Sequence, residues 1–248
     1  MRRLLIRPGA IGDFIVSLPA MESLRAADTA DYTEVWCAEQ NVPLARFADS
    51  ARSIVSAGLD RLGFLPADDV LERLRAFDSI VSWYGANRPD FRDLVANASL
   101  PFRFLSALPT GDTHAVEFYR RQTEAPASRF PVIPCPPVPR TVAIIHPFAS
   151  SQAKRAPMEL FERAADRLAR EMPVEWLCGP EEHLPNAIRT DNLYDLACRL
   201  RGARIYVGND SGISHLAAAV GTPVLALFRT TAPRLWSPRG PSVNPITL

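Results

Sequence analysis

Three short stretches gather most of the side chains able to do chemistry. The first, RPGAIGD, covers residues 7–13. Gly9 and Gly12 permit positive φ and the close approach of a ligand or of another backbone. Their spacing is not G-x-G-x-x-G, so it argues for no dinucleotide site. Asp13 has two readings. Its carboxylate can cap a helix by accepting N–H groups, or it can act as a general base facing a cleft. The second stretch, HPFASSQAKRAP, covers residues 146–157. Ser150, Ser151 and Gln152 offer hydrogen-bond donors, and Lys154 and Arg155 place positive charge just ahead of a helix. Cations beside a helix N terminus make an anion site. A solvated loop with two surface cations is the plainer reading.

The third stretch is YVGNDSGISHLAAAVGTPVLALF, residues 206–228. Its polar knot, GNDSG, lies between an apolar run and a helical segment. Gly212 and its small neighbours leave backbone N–H groups uncovered, Ser211 adds a hydroxyl, and a helix dipole adds partial positive charge. That combination binds phosphate. Asp210 would repel a phosphate, so it caps the helix or orients the loop. His215, about one turn further on, either shares the anion site or is buried and hydrogen-bonded to the loop. Gly221 is expected to stop the helix.

Loops like these need elements to hold them, and the chain alternates suitably. RRLLIR, EVWCAE, SIVSA and DSIVSWYG read as strands, with FIVSLPAMESLRA as a helix that Pro19 should kink or break. FPVIPCPPVPR then interrupts the pattern: five of its eleven residues are proline. Proline lacks the N–H and fixes φ, so this is an extended connector and a domain boundary. The alternation resumes with TVAIIH, the amphipathic helix PMELFERAADRLAR, VEWLCG, LYDLACRLRG, RIYVG, the helix DSGISHLAAAVG and a last strand, TPVLALF. The expected organisation is an N-terminal α/β domain over 1–130, a linker over 131–140 and a C-terminal α/β domain over 141–248. Ligands of such sheets bind beyond the C-terminal strand ends, often between domains.

Composition excludes several classes. The 248 residues are 47% hydrophobic, enough for real cores, and carry 28 Lys+Arg against 27 Asp+Glu. That balance argues against nucleic acid as a partner. The four cysteines are scattered without C-x-x-C spacing, which fits a reduced cytoplasmic compartment. The N-terminal apolar stretch is broken by Pro8, Gly9, Gly12 and Asp13, so it makes a poor signal peptide.

The segments LLIRPGAIGDFIVSLPAMESLR, IIHPFASSQAKRAPMELFERAADRL and VGNDSGISHLAAAVGTPVLALF, with PRLWSPRG after it, resemble glycosyltransferase family 9, the ADP-heptose:lipopolysaccharide heptosyltransferases. The resemblance implies a GT-B fold: two Rossmann-like domains with parallel sheets facing across a cleft. It implies an inverting transfer of a heptose from an ADP-sugar to a lipopolysaccharide-type acceptor. Asp13 matches the general base, and Lys154 the lysine on the diphosphate, with Ser150 and Ser151 in the neighbouring hydroxyl positions. Asp210, Ser211, Gly212 and His215 match the nucleotide-binding stretch, and Gly12 lies in the first motif. Such a site needs no cofactor or metal ion. An acceptor that is a glycan or a lipid-linked sugar leaves open a peripheral contact with the inner face of the membrane.

The chain departs from the family after Phe228, where RTTAP puts Arg229 in place of a glycine. Arg229 could reach the diphosphate or the sugar, or block part of the pocket. A competing reading is a member that binds nucleotide or sugar-nucleotide without turnover. A nicotinamide-dependent oxidoreductase or an epimerase lacks its G-x-G-x-x-G and its acidic ribose partner here.

Overall fold

The computed structural model describes residues 1–26, 30–64, 67–124 and 130–248. Part of the segment expected to close the N-terminal domain, residues 125–129, lies outside the described residues. The N-terminal half holds strands β1 (Arg2–Arg7), β2 (Tyr32–Cys37), β3 (Ser50–Ser53), β4 (Ser79–Ser82) and β5 (Phe102–Phe104), with helices α1 (Ile11–Ala26), α2 (Asp68–Arg75), α3 (Pro89–Asn97) and α4 (Ala115–Gln122). The C-terminal half holds β6 (Val142–His146), β7 (Val174–Trp176), β8 (Ala203–Asn209), β9 (Val224–Phe228) and β10 (Val243–Thr247), with α5 (Met158–Leu168), α6 (Leu193–Arg201), α7 (Gly212–Ala219) and the short α8 (Pro233–Trp236).

Each half is one five-stranded sheet, ordered β3-β2-β1-β4-β5 and β10-β9-β8-β6-β7. Every named strand pair is parallel. The chain reverses direction across the sheet between β1 and β4, and again between β6 and β8. These are the switch points at which open α/β sheets bind ligands. The loops after β1, β6 and β8 are the three stretches singled out by their chemistry.

Parallel strands are covered on both faces, so successive apolar residues serve different cores. On β1, Leu5 joins one buried cluster while Leu4 and Ile6 join another. On β6, Ile144 and Ile145 divide in the same way. The cluster with Leu5 and Ile144 also takes Phe14 of α1, Tyr119 of α4, Leu196 of α6 and Leu216 of α7. One continuous core therefore joins the halves. Residues 131–140 form no helix or strand; the Ile133 N–H donates to Ala219 O.

Three expectations about the elements need correction. Pro19 does not break α1, which runs on to Ala26. An interior proline costs about 3 kcal/mol, but Phe14, Ile15, Val16, Leu18, Met21 and Leu24 are all buried. At about 1.5–3 kcal/mol for each large apolar side chain, burial wins. The strand expected over SIVSA lies earlier, at Ser50–Ser53, because it pairs from Glu34↔Ser50 along β2. TPVLALF is not the last strand. β10 follows it, and its Pro245 is tolerated because β10 is an edge. Among the described residues no helix is long and apolar enough to cross a membrane.

Candidate active site

The first turns of α1 and α7 touch where the two halves face each other. A Cβ added to Gly212 would lie 2.7 Å from Ile11 Cβ and 3.0 Å from Gly12 N. Only glycine allows that approach. Gly12 itself has more room, its Cβ position being 3.4 Å from His215 Cδ2. Two cavities open at this junction and share Ala10, Gly12, Ser150, Ser211 and Gly212.

The first cavity, about 370 Å³, is lined by Asp13 from the N-terminal half and by Lys154, Asp210, Ser211, His215, Thr231 and Trp236 from the other. Asp13 occupies the first turn of α1, and its carboxylate accepts no hydrogen bond among the described residues. It is partly exposed into the cavity, which fits a proton acceptor better than a helix cap. Lys154 Nζ is 2.7 Å from Asp210 Oδ2, and Thr231 Oγ1 donates to the same oxygen at 2.5 Å. Asp210 therefore aims Lys154 rather than capping α7. The cap is Ser211, whose Oγ accepts from the Ser214 N–H at 3.4 Å. The remaining N–H groups at that end carry the partial positive charge of the helix dipole toward the cavity.

His215 is almost fully buried, and its ring makes no hydrogen bond among the described residues. Burial lowers its pKa to about 4, against the pull of Asp210 and with help from His114 and Lys154. The imidazole is thus neutral at pH 7. It can give or take a hydrogen bond but adds no charge.

The second cavity, about 360 Å³, is lined by apolar residues such as Leu177, Leu193, Leu196 and Ile213, with Glu182 and His146 among its polar groups. His146 Nε2 lies 3.0 Å from Glu182 Oε2, and the Gly179 N–H donates to that oxygen at 2.6 Å. Burial pushes the Glu182 carboxyl up, but these two hydrogen bonds, together with the nearby His146 and Arg155, outweigh it and hold it below the usual range. An apolar cavity with a hydrogen-bonded carboxylate in its lining suits a base and its ribose hydroxyls.

Two sequence candidates fall outside both cavities. Ser151 is exposed and caps nothing with its side chain. Arg229 is exposed, and its Nη1 donates to Arg155 O at 2.8 Å. It lines neither cavity.

Sequence reasoning missed Arg7, which passed for the end of a strand. It is buried, with its Nε on Ser17 Oγ at 3.1 Å, Nη1 on Pro8 O at 3.1 Å, and Nη2 on Asp13 O and Tyr119 Oη, both at 3.0 Å. Its guanidinium carbon also lies 4.7 Å from the Tyr119 ring centroid. Arg7 thus fixes the turn that carries Asp13. Its only outward sign is an arginine closing the apolar triplet LLI just ahead of Pro8 and Gly9.

A family model, glycosyltransferase family 9 (heptosyltransferase), matches residues 107–248. The first motif of the sequence lies outside that match. Similarity to solved structures spans the whole chain. A glycosyl transferase family 9 structure from Veillonella parvula is 16% identical, with TM-score 0.77, covering 100% of this chain and 86% of that one. The E. coli heptosyltransferase WaaC with ADP is 17% identical, with TM-score 0.73 and coverage of 100% and 93%. E. coli ADP-heptose lps heptosyltransferase II is 18% identical, with TM-score 0.76 and coverage of 99% and 90%. A comparison with curated protein sequences returns no match. The two parallel sheets are those of a GT-B fold. The chain belongs to glycosyltransferase family 9, the heptosyltransferase family.

Proposed function

We propose that the chain is an inverting glycosyltransferase. It moves a sugar, a heptose or a relative, from an ADP- or other nucleoside-diphosphate sugar to a glycan or lipopolysaccharide-type acceptor. The observation that carries this reading is one cavity that sets Asp13 of one half opposite Lys154 and the α7 N terminus of the other. The WaaC structures with ADP and with ADP-2-deoxy-2-fluoro heptose support the choice of donor.

In this reading the base and ribose occupy the apolar cavity, and the diphosphate lies across Ser150, Ser211 and Gly212, the residues the two cavities share. The donor sugar then lies in the Asp13 cavity. Asp13 takes the proton of the acceptor hydroxyl while that oxygen attacks the anomeric carbon from the face opposite the diphosphate. The carbon–oxygen bond to the diphosphate breaks on the other side, so configuration inverts. The leaving diphosphate gathers charge, and fixed N–H groups with Lys154 lower the barrier. Holding both reactants in line supplies much of the rest. The reading assigns charge neutralisation to these groups rather than to a metal ion, so chelators should leave the rate unchanged. A lipid-linked acceptor would bring a cytoplasmic enzyme to the membrane surface.

Asp13→Asn tests the assignment. Release of nucleoside diphosphate is followed with ADP-heptose and a panel of core-sugar acceptors, beside calorimetric donor binding. Transfer should fall by at least about 100-fold, the lower end of what general bases contribute, with donor affinity kept. Equal transfer by the variant would remove Asp13 from the chemistry. A wild-type chain that binds donor and transfers to nothing would be a binding module.

A further inference from the structure

The segment between β9 and β10 is stitched to both halves of the molecule. Arg229 Nη1 donates to Arg155 O at 2.8 Å, and Thr231 Oγ1 to Asp210 Oδ2 at 2.5 Å, both in the C-terminal half. Arg234 Nη1 reaches Asp112 Oδ1 at 2.6 Å, and His114 Nε2 donates to Ser237 O at 2.9 Å, both across to the N-terminal half. His114 Nδ1 accepts from the Val116 N–H, which leaves Nε2 as the protonated nitrogen. Four separate ties on nine residues hold a helix of only four residues, α8, with none of those four fully buried. Burial of its own side chains does not account for that bracing.

What the bracing fixes in place is Trp236. Its indole is half-buried, packs against the shared core, and lines the cavity that also holds Asp13, Lys154 and His215. Every other lining residue there is small, polar or charged apart from the His215 ring. The indole N–H makes no hydrogen bond among the described residues. A flat apolar face with a free donor at its edge matches a sugar ring, which has one face rich in C–H groups and hydroxyls around its rim. An aromatic face also attracts positive charge, and glycosyl transfer builds positive charge at the anomeric carbon.

We propose that Trp236 is the platform for the transferred sugar of the donor, and that the braced segment 229–237 exists to hold it. This rests on the glycosyltransferase reading above. Trp236 selects for donors that carry a pyranose and contributes little to the nucleotide itself.

The test titrates the full chain with ADP, ADP-glucose and ADP-heptose, and with UDP and UDP-glucose, on wild type, Trp236→Phe and Trp236→Ala. The expected result is an affinity for ADP that changes less than about twofold in Trp236→Ala, while the gain from the sugar falls by about tenfold, with Trp236→Phe in between. Fluorescence gives a second readout, independent of stability. Adding the sugar-nucleotide should change the emission of wild type but not of Trp236→Phe, and ADP should change neither. The proposal is overturned if the ratio of sugar-nucleotide to nucleotide affinity is the same in all three proteins. It is overturned as well if Trp236→Ala loses both ligands equally, which would make the residue structural. If wild type binds none of the five ligands, the glycosyltransferase reading fails and takes this assignment with it.

Discussion

Gly212→Ala adds one methyl group at the tightest point between the halves. The new carbon would lie 2.7 Å from Ile11 Cβ and 3.0 Å from the Gly12 nitrogen. Carbon atoms rest about 3.5–4.0 Å apart, so one helix must retreat by close to an ångström. Both clashing atoms are main chain or attached directly to it, so no rotamer change relieves them. Overpacking of this kind costs about 1–3 kcal/mol. Alanine returns at most about 1 kcal/mol through helix propensity. The same methyl at Gly12 meets His215 Cδ2 at 3.4 Å and Gly212 Cα at 3.6 Å, ordinary contact distances. Gly12→Ala should therefore stay within about 1 kcal/mol of wild type. Urea denaturation with an unchanged m-value measures the pair. For a chain of this size, each kcal/mol moves Tm by about 2–4 °C. Gly212→Ala should also weaken nucleotide binding, since the α7 N–H groups move with the helix. The reasoning fails if Gly212→Ala matches wild type, or if Gly12→Ala is the more damaging of the two.

Arg7→Ala removes the donor to Asp13 O, Pro8 O, Ser17 Oγ and Tyr119 Oη. It should lower kcat much more than donor affinity, because Asp13 loses its support while the diphosphate site is untouched, and Arg7→Lys should restore part of the rate. Equal effects on kcat and donor Kd would make Arg7 a purely structural residue. His215 gives a pH signature: its pKa is lowered to about 4 by burial first. A folded-state value below the unfolded one of about 6.5 means that its stabilisation is present above pH 6.5 and is lost as pH falls through 4. The stability difference between wild type and His215→Gln should thus shrink over that window, by up to about 3 kcal/mol. A difference flat from pH 7 to 4 would contradict the buried neutral imidazole.

Much of the site could be read from local chemistry. The loops after β1, β6 and β8 announce themselves through glycines, hydroxyls and cations at strand ends, and the fold brings all three together. What escaped reading depends on contacts between distant residues. Asp210 looks like a cap until Lys154, 56 positions away, is placed against it. Glu182 is one of two adjacent acids in GPEEH until His146 and the Gly179 N–H close on it. Trp236 carries no local signal; its neighbours Arg234 and Ser237 meet Asp112 and His114, more than a hundred residues back. The sequence leaves Arg229 open as a ligand contact or a block; it lines neither cavity, and its Nη1 donates to the Arg155 carbonyl instead. Pro19 misleads for a related reason, since local propensity is outweighed by core burial.

The most direct test of the central claim is calorimetric titration of the chain with ADP, UDP and GDP, repeated on Lys154→Ala. The account predicts selective binding of one nucleoside diphosphate, weakened about 10–100-fold in the variant, the worth of a hydrogen bond to a charged group. Binding that Lys154→Ala leaves intact, or no binding of any of the three to wild type, would contradict a diphosphate site between the two helix ends.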